Sequence, residues 1–441
     1  MEIGLNKILK TVCRRCLWVW AGAILVIGLW GCSKTEEEAI ETESVKIGVV
    51  YPFSGPNAAT GEDLKSAVEL AGEIINDNFD LDLPMARGKG LVGLGGVPLD
   101  IIYRDSQSDP DIAAAAVESL YLKEGIAAVI GCYGSTITAA ASEKAEVLKL
   151  PFLNATSTSP ILTQRGLQWF FRTTPDDAIF ADNFFSFLSG LSNQRPDPVP
   201  KRLILVYENR LFGTGVAAAE RKLADRHGFP IAGEIPYDSK SDDFDAELRQ
   251  IESLPKSVIL QTSYARDAIA FMRGYKARGI SPVAILGMNA GFISPGFIRE
   301  LGPDAESVLS REVWAPDLGN HKPVIADINQ RFHERYGRDM TGNSARAFTA
   351  VLVLADALNR AGSTRPEAVR QALLATEMDA GPCIMPWDGI RFDPENGQNI
   401  LGKGIIVQIQ DGHYRTVWPR IYAETELRWP MPAWRNRPHA E

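Results

Sequence analysis

Two short hydroxyl-rich segments hold the residues most suited to chemistry. The first is Gly131-Cys132-Tyr133-Gly134-Ser135, and the second is Asn154-Ala155-Thr156-Ser157-Thr158. Each follows an apolar run, residues 127–130 and 151–153, that reads as a buried parallel strand. An alanine-rich stretch, residues 136–149, lies between them with helical character. Ligands of open α/β sheets bind beyond the carboxyl ends of the strands, which is where both segments fall. Ser135 is placed to cap the helix behind it. Free backbone N–H groups and the positive end of the helix dipole would then face one spot. The chemistry of such a spot is hydrogen bonding to a small anion, such as a carboxylate, without a formal counter-charge. The alternative is that these residues only make turns and caps, and both readings stay open on the residues alone.

Stepping outward, the elements that would carry these loops repeat. Residues 45–51 (VKIGVVY) form a first strand, followed by a turn-rich loop at 54–57 and a helical face at 61–76. Residues 99–105 (LDIIYRD) are a second strand, and Asp109 with Pro110 opens a helix. After a proline-containing stretch at 193–200 the pattern restarts. Residues 202–207 answer 45–51, 231–238 answer 99–105, 257–264 answer the strand before Ser135, and 283–289 answer the strand before Thr156. The expected helices run 215–227 and 265–278. Two half-units with the same strand–loop–helix order predict two similar doubly wound lobes. Their loops would meet across a cleft, with Ser135 and Thr156 to Thr158 opposite Tyr264 and Asn289. Later elements are a strand at 308–314, helices at 322–336, 344–360 and 365–376, and strands at 390–393 and 404–410. An Asp411-Gly412 hairpin turn follows.

The 441 residues are 45% hydrophobic and 23% charged, enough for two cored domains. A net charge of −9 without a basic tract argues against nucleic acid as partner. Basic residues Lys7, Lys10, Arg14 and Arg15 precede an uncharged apolar run, 17–31, that ends at Leu29-Trp30-Gly31-Cys32. This reads as a targeting segment, with an uncleaved signal anchor as the alternative. Residues 34–44 are polar, acidic and aperiodic, as in a tether. Of the five cysteines, Cys13 and Cys16 lie in the targeting segment. Cys132 and Cys383 are either a pair or two separate buried thiols. There is no GxSxG, HExxH, Walker or GxGxxG signature, and the five histidines are scattered outside the expected cleft loops. No enzyme chemistry, metal or cofactor is therefore expected.

Segments in order carry a family likeness: VKIGVVYPFSGPNAATGEDLKSAVELAGEIIND, then AAVIGCYGSTITAAASEKAEVLKLPFLNATSTSPILTQRG, then FFRTTPDD, then Phe212-Gly213-Thr214-Gly215, and FDPENGQN near the end. Over residues 46–419 the chain resembles the type I periplasmic solute-binding proteins, most closely the leucine/isoleucine/valine-binding group of ABC importers. The resemblance implies two Rossmann-like lobes joined by three hinge crossings, near 171–175, 308–316 and 387–402. The lobes would be 45–174 plus 315–390 and 175–314 plus 391–441, after a signal peptide (1–31) and a tether (32–44). It implies a lipobox with Cys32 lipidated, a monomer in the periplasm or cell envelope anchored to the membrane, and a membrane permease as partner. It assigns the ligand carboxylate to Ser135, Thr156, Ser157 and Thr158, an aromatic wall to Phe212, a second-lobe contact to Tyr264, and side-chain contacts to Thr60 and Tyr133. Branched-chain binders place a glutamate near Asn289 to meet the ligand ammonium, and here that loop has none. Losing that charge-assisted bond costs ~1.5–3 kcal/mol. Asp267 either replaces it or only caps its helix. The expected ligand is an amino acid, an amide or an organic acid. An envelope sensor or regulator on the same fold is the second reading.

Overall fold

The computed structural model describes residues 44–194 and 202–437. The targeting segment, Cys32 and the tether up to residue 43 lie outside the described residues. The described part from residue 44 belongs to one compact unit.

Strands β1 (Val45–Tyr51), β2 (Leu99–Asp105), β3 (Val129–Gly131), β4 (Phe152–Asn154) and β5 (Phe170–Arg172) form a parallel sheet in the order β2-β1-β3-β4-β5. Helices α1 (Ala58–Asn76), α2 (Pro110–Ser119) and α3 (Ser135–Leu148) link them. Helix α4 (Asp177–Gln194) leads to the second set. There β6 (Leu203–Glu208), β7 (Ile231–Tyr237), β8 (Val258–Thr262), β9 (Ala284–Gly287) and β10 (Leu309–Glu312) are again parallel. They alternate with α5 (Leu211–His227), α6 (Asp245–Ser253), α7 (Ala265–Ala277) and α8 (Pro295–Leu301). Their order, β7-β6-β8-β9-β10, repeats that of the first sheet. The predicted internal echo is thus a true structural repeat.

Helices α9 (Pro323–Tyr336), α10 (Gly342–Ala361) and α11 (Pro366–Leu374) follow, then the small pair β11 (Glu377–Asp379) and β12 (Gly389–Arg391). Finally β13 (Ile405–Gln410) and β14 (His413–Trp418) add antiparallel strands beyond β10. The 308–314 strand therefore lies inside the second sheet. The chain passes between the sheets three times: between Arg172 and Leu203, after Glu312, and between Arg391 and Ile405.

Local chemistry explains these choices. β1 and β3 through β6 are buried at nearly every position, as strands covered on both faces must be. Asp109 accepts from the amides of Asp111 and Ile112 at 2.9 and 3.0 Å, with Pro110 in the first turn, so α2 starts where the sequence predicts. Asp411 and Gly412 both have positive φ, 54° and 75°, the two-residue hairpin turn that Asp-Gly favours.

Two expectations change. Ser135 is the first helical residue of α3, not its N-cap. Gly134 takes the cap position at φ 94°, which suits glycine, and makes no side-chain cap bond. α5 begins four residues earlier than expected, so Phe212 sits on its first turn and not in a loop. Cys132 and Cys383 are two separate buried free thiols.

Candidate functional site

The loops after β3 and β4 meet the loops after β6, β8 and β9, and the meeting place is a narrow slot. Tyr133, Gly134, Ser135, Thr156, Ser157 and Thr158 line it from the first sheet. Phe212, Tyr264, Asn289 and Ala290 line it from the second. Eight of the nine predicted ligand residues are therefore brought together. The ninth, Thr60, is a buried residue of α1 whose hydroxyl faces that of Tyr133.

The hydroxyls are not equivalent. Those of Thr156 and Ser157 donate to the Cys132 carbonyl, at 3.0 and 3.1 Å, and so brace the two loops against each other. The Thr158 side chain faces the carboxyl of Asp177, and its carbonyl accepts from the Asp177 amide at 2.9 Å. The Ser135 oxygen accepts from the Ser159 amide at 3.3 Å, which leaves the Ser135 proton to donate. The backbone amide of Ser135 faces the Tyr264 hydroxyl. A tyrosine hydroxyl thus stands against the first amide of α3. Burial pushes that hydroxyl well above its ordinary pKa, so it is neutral and able to donate.

Supporting residues fix the loops. Arg172 of β5 is fully buried and donates to the Ser159 carbonyl at 2.7 Å and to Gln398 at 2.6 Å, shaping the 157–159 turn. Glu208 accepts from the amides of Arg210 and Gly213 at 2.8 and 2.7 Å and so holds the start of α5. A Cβ on Gly213 would lie 2.0 Å from the Glu208 carbonyl oxygen, so only glycine lets Phe212 reach the slot. Phe212 and Tyr264 rings are 5.5 Å apart, and Tyr133 and Tyr264 rings 5.8 Å, an aromatic cluster across the cleft.

The floor holds the residues that sequence reasoning missed. Asn289 donates to both carboxylate oxygens of Glu312, each at 3.1 Å, and accepts from Arg346 at 3.1 Å and from the Ala290 amide. Arg346, fully buried in α10, also donates to the Gly342 carbonyl at 3.1 Å and to the Thr156 carbonyl at 3.4 Å. It therefore ties the first-sheet loop to the second-sheet loop. Burial raises the Glu312 carboxyl against the opposing pull of Arg346 and Arg311, and burial lowers Arg346 against the pull of Glu312. The acid absent from the Asn289 loop is supplied from β10, but it is already compensated. Asn289 itself is held at φ 52°, a costly conformation for a non-glycine residue. A charged pair, Arg311-Glu312, in an apolar strand, and a lone arginine in the apolar run of α10, were the available signals. Asp267 is the third residue of α7 and not its cap. It accepts from Tyr237 at 3.4 Å and Arg266 at 3.2 Å, and burial raises it to about 6.

Beyond Tyr133 and Tyr264 the cleft widens into an outer chamber of ≈ 180 Å³, against ≈ 20 Å³ in the slot. The smaller figure is room for about one water. Among the described residues no group of three or more His, Cys, Asp or Glu is placed to hold a metal ion.

Comparison with known proteins agrees with this geometry. The profile of a family described as periplasmic binding protein matches residues 44–413. The Leu/Ile/Val-binding protein homolog 7 of Brucella suis is 27% identical over 392 residues, covering 88% of this chain and 94% of that relative. Among solved structures, the leucine-binding protein LivK of Thermotoga maritima is similar in fold, with a TM-score of 0.73 and 22% identity over 85% of this chain and 97% of that one. A solute-binding protein of R. palustris in complex with benzoate matches with a TM-score of 0.71 and 17% identity, over 85% of this chain and 95% of that one. All three are named as binding proteins or their homologs.

Proposed function

The chain belongs to the periplasmic binding protein family, and from that premise we propose that it is the lipid-anchored extracytoplasmic substrate-binding protein of an ABC importer. Its ligand is a small carboxylate-bearing solute, taken into the interlobe cleft by closure of the lobes. The observation that carries this reading is the convergence of loops from two repeated sheets on one slot, with Ser135 offering a free hydroxyl proton beside a helix N-terminus. The likeness to proteins named for leucine, isoleucine and valine supports an amino-acid-like ligand, and the likeness to a benzoate-binding protein supports an organic acid.

The floor favours the acid. Every polar atom of Asn289 is engaged, and Glu312 is balanced by Arg346, so a ligand ammonium would find no unspent acid there. Cys32 is the lipid anchor in this reading. The lobes are 45–174 plus 315–390 and 175–314 plus 391–441, the protein is a monomer, and a membrane permease receives the closed form.

One observation favours the second reading, an envelope sensor or regulator. The slot is nearly filled, and the Tyr264 hydroxyl covers the Ser135 amide. A thermal-shift screen separates the two. The panel holds leucine, isoleucine, their amides, benzoate and short dicarboxylates. A ligand at 100 times its dissociation constant adds about 2.7 kcal/mol of stability, and Ser135→Ala should weaken it while leaving the unliganded melting temperature within a few degrees. No shift from any compound would favour the regulator and remove the transport reading.

A further inference from the structure

The two compartments of the cleft differ in a way that bears on the size and charge of the ligand. The slot by Ser135, with ≈ 20 Å³ free, takes no more than a head group, and that only once the Tyr264 hydroxyl moves aside. The outer chamber, ≈ 180 Å³, shares Tyr133, Gly134 and Tyr264 with the slot and spans both lobes. Its near wall is aromatic and apolar, from Tyr133, Tyr264 and Ile137.

Its lining from the second sheet also carries bases, Arg210, Lys240 and Arg266, with Asp267 as the single acid. Arg266 is already committed: it pairs with Asp242 at 2.8 Å and Asp267 at 3.2 Å. Arg210 and Lys240 make no ion pair among the described residues. Glu208, behind Arg210, is engaged by backbone amides and also feels the Arg210 charge. Two cations without an ion pair thus line a cavity whose inner end carries the Ser135 hydroxyl and amide.

We propose that the ligand is a dianionic acid, with one carboxylate at Ser135, an aromatic or similarly apolar body in the outer chamber beyond Tyr133 and Tyr264, and a second anionic group at Arg210 and Lys240. The inference rests on the solute-binding reading above and adds the substrate class to it. The slot sets which end enters, and the outer cations select acids that carry a second charge. Both cations are near solvent, so their share is modest and salt-sensitive.

The test is isothermal titration of the protein with two matched pairs, benzoate against terephthalate and phenylacetate against 1,4-phenylenediacetate, with leucine as a fifth probe. At least one diacid is expected to bind at least about fivefold more tightly than its matched monoacid at about 50 mM salt, and this advantage should shrink at about 300 mM. In the Arg210→Gln/Lys240→Gln variant the advantage should vanish. Both side chains are partly or fully exposed, so the variant is expected to keep the parent melting temperature. Equal binding of monoacid and diacid, or an advantage that survives in the variant, overturns the proposal. Binding of leucine with none of the acids overturns it but leaves the solute-binding reading standing. Binding of none of the five probes counts against both.

Discussion

Raising the pH from about 5.5 to about 8.5 is expected to weaken the fold through Asp177, the first residue of α4. Its carboxyl is fully buried, neither oxygen has a hydrogen-bond partner, and its nearest cation is Arg311 at 3.8 Å. A second buried acid, Glu220, faces the same group, and Asp176, Arg172 and the Thr158 hydroxyl complete its surroundings. Two buried acids face each other and only Asp177 has Arg311 beside it, so one of them keeps its proton near neutral pH. Burial, only partly offset by Arg311, pushes Asp177 up from 3.8 to about 7. A carboxyl raised in the folded state contributes stability that is complete below its unfolded value and is lost as pH climbs through the folded value. The unfolded chain is ionised across the whole window, so the loss between about pH 5.5 and about 8.5 is roughly 1.5 pKa units, ~2 kcal/mol. Glu220 acts in the same direction. The assay is urea unfolding of the protein from residue 43, read as a midpoint shift at constant slope. Asp177→Asn should reduce the pH dependence and be at least as stable as the parent at about pH 8, and Asp177→Asn/Glu220→Gln should remove most of what remains. Stability that is flat or rising over this window in the parent, or a slope unchanged in the double variant, would contradict this assignment.

Removing the guanidinium with Arg346→Met should cost about 3 kcal/mol in urea unfolding, because buried Glu312 keeps only Arg311 against it and Asn289 and the Thr156 carbonyl lose a donor. Adding Glu312→Gln should recover part of that loss, and strictly additive effects would show that the two do not interact. Gly213→Ala forces a methyl against the Glu208 carbonyl and should cost about 3 kcal/mol or more, with weakened ligand binding as Phe212 moves. A neutral result would mean that the start of α5 is not held as described. Cys132 and Cys383 should resist a thiol reagent in the native protein and react as two thiols only after denaturation. Absence of reactive thiol after denaturation without reductant would instead reveal a disulfide.

The repeat was legible because both half-units spell buried parallel strands as short apolar runs ending in polar loops. The slot was legible for the same reason: Ser135, Thr158, Tyr264 and Asn289 all sit just past strand ends. What the sequence could not give is which polar atoms are already spent. Thr156 and Ser157 look like Ser135 in sequence, yet their protons go to the Cys132 carbonyl. Glu312 and Arg346 are far from the loops in sequence, and only the packing of β10 beside β9 and of α10 beneath the cleft brings them to Asn289. Ser135 was misplaced by one residue as a cap because Gly134 can adopt a positive φ that moves the helix start forward.

The most direct test of the whole account is a crystal structure with the tightest ligand from the screen. A carboxylate should lie within hydrogen-bond distance of the Ser135 hydroxyl and amide, with the Tyr264 hydroxyl turned away and Glu312 still bound to Asn289. A ligand seated elsewhere, or one in the cleft with its carboxylate away from Ser135 and Tyr264 unmoved, would contradict it.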